Sequence, residues 1–273
     1  MMLLMPNIQV AGANAMSGAH VIGYPALPAF LGLANTVCRA LSELSGTSFR
    51  TKGIAILHHG SRLRLYRYSG LTRKKSVYAD AEIPGRDSYW FTPPNEHQPQ
   101  LDLSLSLIVD AAFPPGLVAE AARSPDELCA AMPLRCLGGT ISETIKPRLV
   151  GTAQEIAKNT RNGWFLVDCS EEITEEDDAL DNLLRLTTGP DARSKRRIAV
   201  QSGYRAITPF ARRRGTRSSE CDHAFVEDVT TLAAFVPKRE CTVSLEHMRQ
   251  CFWRPNIDRN SGFATLGRSY DHV

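Results

Sequence analysis

Four leucines at every second position, Leu101, Leu103, Leu105 and Leu107, alternate with Asp102, Ser104 and Ser106. Successive side chains of a strand point to opposite faces, so this segment predicts a strand with one apolar and one polar face. Such a strand needs partner strands at its edges and an apolar cover over its leucines. The rest of the first half offers both. Leu3 to Ala11 predicts an opening strand, followed by a polar turn over 13–18. Phe30, Leu33, Ala34, Val37, Cys38, Leu41 and Leu44 recur at the spacing of a buried helix stripe, with Gly46 as a stop. Gly53 to His58 predicts a second strand that Leu63 and Leu65 extend; alternation there puts Arg62 and Arg64 on one face and the leucines on the other. Pro115 to Met132 predicts a helix broken at Ser124-Pro125, and Leu134 to Val150 holds Gly138-Gly139 and a closing strand.

Strand, helix, strand, strand, helix, strand is the ferredoxin-like order, the arrangement of RNA-recognition-motif domains. The expected fold class is therefore α+β, with a ferredoxin-like domain over 1–150. An excursion at 68–100, rich in Gly, Pro, Tyr and charge, interrupts it. A smaller mixed α/β part is expected over 151–273. Its strands are predicted at 164–169, 198–200 and 204–207, its helices at 174–186, 225–235 and 244–253. The last twenty residues are polar and contain Gly, and read as loose except where docked.

Net charge is only +3, but its distribution is uneven. Residues 62–75 carry Arg62, Arg64, Arg67, Arg73, Lys74 and Lys75 without an acid. Residues 191–217 carry nine cations, among them Arg196, Arg197, Arg205, Arg212, Arg213, Arg214 and Arg217, against Asp191 alone. Between them, Glu171 to Asp181 holds seven acids and no base. Tyr66, Tyr68, Tyr78, Tyr89 and Trp90 accompany the first basic stretch, and Tyr204 and Phe210 the second. Cations for phosphates beside rings for bases fit single-stranded nucleic acid. Gly138-Gly139 would let a phosphate or ribose approach the backbone, or else form a plain turn. Asn14 and Ser17 would reach base edges, or else hold an Asx-type turn.

Other chemistries lack their residues. His58-His59 and Cys221/His223 have no metal-ligand spacing around them. Ser17 and Ser202 lack the GxSxG context, and the Gly-Gly pair lacks a P-loop ending. Seven cysteines without a CxxC pair read as reduced cytoplasmic thiols packed as small hydrophobes. No run of eighteen apolar residues and no convincing signal peptide occur, so no membrane contact is expected. No metal, cofactor or catalytic constellation is expected.

Several short stretches carry a family resemblance. Asn14-Ala15-Met16-Ser17 after the first strand, then Gly23-Tyr24-Pro25 and Pro28-Ala29-Phe30 at the helix start, resemble Csy2, the Cas5-type subunit of type I-F CRISPR systems. Leu134 to Ile141 is similar to that family's Arg-Leu-Ala-Gly-Gly-Ser-Ile stretch, Gly163 to Val167 to its Gly-Phe-Ala-Leu-Val strand, and Gly203 to Pro209 to its Gly-Tyr-Asn-Ala-Leu-Ser-Pro. Arg205 stands where that last pattern carries Asn. The resemblance implies a non-catalytic subunit of a surveillance complex that holds the 5′ handle of the guide RNA and caps the foot of the backbone filament. It implies contacts to a large subunit where one exists, to filament subunits, and to target double-stranded DNA near the PAM through the complex. It turns the 68–100 excursion into a thumb carrying Arg73, Lys74, Lys75, Arg86, Tyr89 and Trp90. The expected RNA contacts are Asn14, Ser17, Arg62, Arg64, Arg67, Gly138, Gly139, Thr140, Arg196, Arg197, Tyr204 and Arg205, with Arg212, Arg213, Arg214 and Arg217 as DNA-contact candidates. Two alternatives stay open: a guide-processing endoribonuclease using His58 or His59 beside Arg62, and a protein-binding scaffold.

Overall fold

The computed structural model describes residues 1–17, 21–64, 99–111, 113, 133–143, 145–174, 178–190, 192, 194–213, 215–216, 218 and 220–268. The thumb residues, Arg67, Arg214, Arg217 and the helix expected at 115–132 lie outside them.

Eleven strands form one sheet. They are β1 (Met2–Asn14), β2 (Thr51–Arg64), β3 (Gln100–Ala111), β4 (Arg135–Cys136), β5 (Gly139–Ile141), β6 (Arg148–Val150), β7 (Trp164–Asp168), β8 (Arg197–Ala206), β9 (Val226–Pro237), β10 (Arg254–Asp258) and β11 (Phe263–Gly267). The order is β10-β11-β8-β9-β7-β2-β3-β1-β5-β4, with β6 also on β1, and every pairing is antiparallel. The expected leucine strand sits in the middle as β3, between β1 and β2. β7 pairs with β2, so strands from both sides of residue 150 share the sheet. Trp253, just ahead of β10, bridges to Ile54 in β2 by two backbone hydrogen bonds of 2.7 and 2.9 Å.

Helix α1 (Leu27–Ser45) lies on one face. Its buried stripe is Leu27, Phe30, Leu33, Ala34, Val37, Cys38 and Leu41, and Gly46 ends it in the left-handed conformation at φ 66°. Leu44, expected on the stripe, is exposed, because it falls on the last turn beyond the sheet. The stripe packs on Leu3, Met5, Ile8, Val10, Ile54, Ile56, the four alternate leucines of β3, and Leu166, Val200 and Trp253. On the opposite face, α2 (Ala153–Asn159), α4 (Lys238–Cys241) and α5 (Leu245–Arg249) cover Leu4, Ala55, Leu57, Ile108 and Phe165. α2 begins with a capping box, Thr152 and Glu155 satisfying each other's backbone N–H. Lys238 donates to the carbonyls of Ala157 and Thr160, both at 3.0 Å, and so ties α4 to the end of α2. α3 (Ala179–Thr188) is capped by Asp178, which accepts from the N–H groups of Leu180 and Asp181.

Three expectations are corrected. Residues 225–235 form most of β9, not a helix. Apolar residues at 225, 226, 229, 232 and 233 mimic helical spacing, but the chain here pairs with β7 on one edge and β8 on the other, and its buried stretch, 231–234, is continuous and shows no alternation. The helix expected over 244–253 is only α5, capped by Ser244, and the chain then extends to let Trp253 reach Ile54. The tail expected to be loose forms the β10–β11 hairpin, whose turn is held by Asp258 accepting from the N–H of Asn260 at 2.9 Å and of Ser261 at 3.3 Å.

Candidate nucleic-acid interface

β7 accompanies β2 only as far as His58, whereas β3 accompanies it to Arg64. The far ends of β1, β2 and β3 therefore project past β7, with the β4–β5 hairpin alongside β1. Register places Gly60, Arg62 and Arg64 opposite Ser104, Asp102 and Gln100, all on the face away from α1. There they line a groove of about 430 Å³ with Gln9, Ala11, Asp102, Ser104 and Ser142. Gln9 donates to the Ser104 hydroxyl at 2.7 Å. Asp102 accepts from Arg64 at 2.6 Å and from the Gly12 N–H at 3.1 Å. The Arg64 hydrogen bond holds the Asp102 carboxyl below its usual range, so the groove keeps one fixed anion between its two arginines. Arg62 is exposed beside it.

Leu137 and Gly138 have φ of 54° and 81° and form the two-residue turn between β4 and β5. A Cβ on Gly139 would sit 2.6 Å from the Ala11 carbonyl oxygen and 2.7 Å from the Ala13 nitrogen. The room expected there for a phosphate or ribose is thus taken by β1, and the glycine allows β5 to lie against that strand. Asn14 likewise serves the turn: its side-chain oxygen accepts from Met16 N–H at 3.0 Å, and its own N–H donates to Leu137 at 2.7 Å. Thr140 is exposed on β5, and Ser17 is half-buried with no hydrogen-bond partner for its hydroxyl among the described residues.

The second basic stretch does not form one surface. Arg196 and Arg197 stand where β8 begins, Tyr204 and Arg205 where it ends, nine residues or about 30 Å of strand away. Strand directions put Arg196 at the same end of the sheet as Arg62 and Arg64, and Arg205 at the other. Arg197 is corrected as a contact: its side chain is 5% exposed and ion-paired with Glu172. Arg205 lies on the Phe263 ring, 5.4 Å from its centroid, and 3.6 Å from Glu227. Tyr204 is exposed. Arg213 lies over Phe225 and donates to the His223 and Pro209 carbonyls and the Thr208 hydroxyl, so it braces the β8–β9 connection, while Arg212 is exposed.

Sequence reasoning passed over the residues around Arg196. Its guanidinium lies 5.0 Å from the centroid of Trp164, and both line a cleft of about 380 Å³ with His58, Ile198, Phe235 and Thr187 of α3. The available signal was Trp164 itself, which was read only as part of a strand motif. His58 and His59 point to opposite faces. His58 packs on Tyr24 and Phe235, with centroids 5.8 and 5.1 Å away. Burial pushes its pKa down to about 4, helped by the charge of His59. His59 has both ring nitrogens engaged, with the Asn162 carbonyl at 3.0 Å and the Ser106 hydroxyl at 2.7 Å.

A folded-state pKa below the ordinary value of 6.5 means that the unfolded chain takes up the proton first. The stability this group contributes is complete above pH 6.5 and is lost as pH falls toward 4. After discounting for partial exposure, about 2 kcal/mol is expected to disappear over that window. His59 shifts in the same direction, again through burial. Urea unfolding at pH 7.5 and pH 5 checks this: His58→Phe should flatten the dependence, and an unchanged slope in that variant would contradict it.

The fold and its surface define a mixed α+β protein with one large antiparallel sheet, cations gathered at the projecting end of three strands, and no cluster of metal-ligating side chains among the described residues. Its kind is given by comparison with known families. The family model described as CRISPR-associated protein (Cas_Csy2) matches residues 3–193, more than two thirds of the chain. The chain belongs to this family, the Csy2 subunits of type I-F CRISPR surveillance complexes, which work together with other Cas subunits. The match ends just before Arg196. A search among curated proteins finds no match. No helix among the described residues is long and apolar enough to cross a membrane.

Proposed function

We propose that this subunit is a non-catalytic RNA-binding protein that holds the 5′ handle of the guide RNA in the groove between β1, β2 and β3. The observation that carries this reading is the projecting end of these strands. It pairs two arginines with hydrogen-bonding Gln9, Ser104 and Ser142, at the root of the segment that begins at residue 65. Phosphates would meet Arg62 and Arg64, and the polar side chains would meet sugar or base edges. The order β2-β3-β1-β6, all antiparallel, is that of a ferredoxin-like sheet, and it supports assigning residues 1–150 to such a domain. In the assembled particle, segment 68–100 would act as the thumb at the foot of the filament, with a large subunit and target DNA as further neighbours. Arg205 and the exposed Arg212, at the far end of the sheet, would meet a different neighbour from the one that meets Arg62.

Exchanging Arg62 and Arg64 for alanine tests the groove. If each meets one phosphate, the slope of log K against log salt should fall by about 1.4 on single-stranded RNA, at roughly 0.7 per contact. An unchanged slope, with the protein folded, would remove the groove from the RNA path. The non-catalytic reading is supported by both histidines: His58 is packed between Tyr24 and Phe235, and His59 has both ring nitrogens engaged. Cleavage of precursor RNA by the purified protein, lost in a His58→Ala/His59→Ala variant, would favour the endoribonuclease instead.

A further inference from the structure

The cleft at the start of β8 is unused by the groove. It combines three features. Trp164 and Phe235 give it two aromatic walls and Ile198 an aliphatic one. A cation, Arg196, lies across the indole at its mouth and is exposed. Its volume of about 380 Å³ falls at the small end of the range for small-ligand sites, roughly 300–1,000 Å³. A flat aromatic group that carries a negative charge nearby suits such walls, because rings and guanidinium planes both stack on bases and the cation attracts phosphate.

Position adds a path. Beyond Gly60, β2 is paired only with β3 among the described residues, so its other edge lies open between the groove on one face and the cleft on the other. His58, in the cleft wall, is four residues from Arg62, about 13 Å along a strand. A single strand whose backbone rests on Arg62 can cross that edge within two or three nucleotides.

We propose that this cleft receives one unstacked base of the guide RNA, packed between Phe235 and the Trp164–Arg196 pair, as the stacking subsite that accompanies the phosphate groove. This rests on the RNA-binding reading above and adds a place where one base leaves the stack. The test uses the complete guide-RNA complex. The guide RNA is sequenced from the purified particle and resynthesised with one abasic residue at a time. With wild-type protein, one handle position should weaken RNA retention about tenfold when its base is missing, the effect of one aromatic stack. In Trp164→Ala that same position should lose its effect. Arg196→Asn gives a second variant on an exposed residue, chosen because Asn tolerates the positive φ of 49° found there. It should reduce the abasic penalty at the same position. An abasic profile unchanged by both variants, with RNA still retained, would overturn the subsite alone. A wild-type complex in which this chain retains no guide RNA would overturn the RNA-binding reading itself.

Discussion

Trp253→Ala is expected to cost about 4 kcal/mol of folding stability, enough to leave little of a marginally stable domain. Trp253 is fully buried, and its indole N–H donates to the Leu166 carbonyl of β7 at 2.8 Å. Its backbone bridges to Ile54 of β2. One residue thereby joins the start of β10 to β2 and packs in the cluster beneath α1. Truncation removes the largest buried side chain and leaves a cavity that strands held by backbone pairing close only in part. Trp253→Phe keeps most of the volume and loses the hydrogen bond, so about 2 kcal/mol is expected. Urea unfolding checks both; an alanine variant within about 1 kcal/mol of wild type would mean that β10 is not closed onto β2 as described.

Glu172→Ala should cost about 3 kcal/mol, more than Arg197→Met at the same ion pair. Arg197 is the buried partner, and Glu172 is 35% exposed. Removing the glutamate strands a cation in the interior, where it cannot be rehydrated. Replacing the arginine by a flexible apolar side chain returns a carboxylate to water and fills the space. The comparison also separates a structural arginine from an RNA contact. Near-normal RNA retention in Arg197→Met, with Glu172→Ala destabilised, is the expected pair of results. The reverse pair would restore Arg197 to the interface.

The elements legible in advance were those whose local pattern and tertiary setting agree. The alternation in β3, the stripe of α1 and the Gly46 stop needed no information beyond their own residues. The helix expected over 174–186 is found as α3, which starts later than expected, at Ala179, because Asp178 caps it there. β9 was misread because the continuous buried run over 231–234 hides the period that marks a strand, and the β10–β11 hairpin because its polar turn outweighed five-residue strands. At the site, Arg62 and Arg64 were placed on one face by alternation alone. Arg197 was not separable from Arg196, since neighbours on a chain turn opposite ways and only Glu172 determines which one is inside.

Composition and periodicity thus determined that this chain builds a sheet with a helix on its leucine face, that its cations are concentrated in two stretches, and that it resembles the Csy2 family to which it belongs. Tertiary structure alone decided that the two stretches do not merge. Arg205 is carried about 30 Å from Arg196 along β8, so Arg196 stands at the same end of the sheet as Arg62 and Arg205 at the other. Charge along a sequence has no direction in space. Strand order and register supply it, and these are set by contacts between residues far apart in the chain.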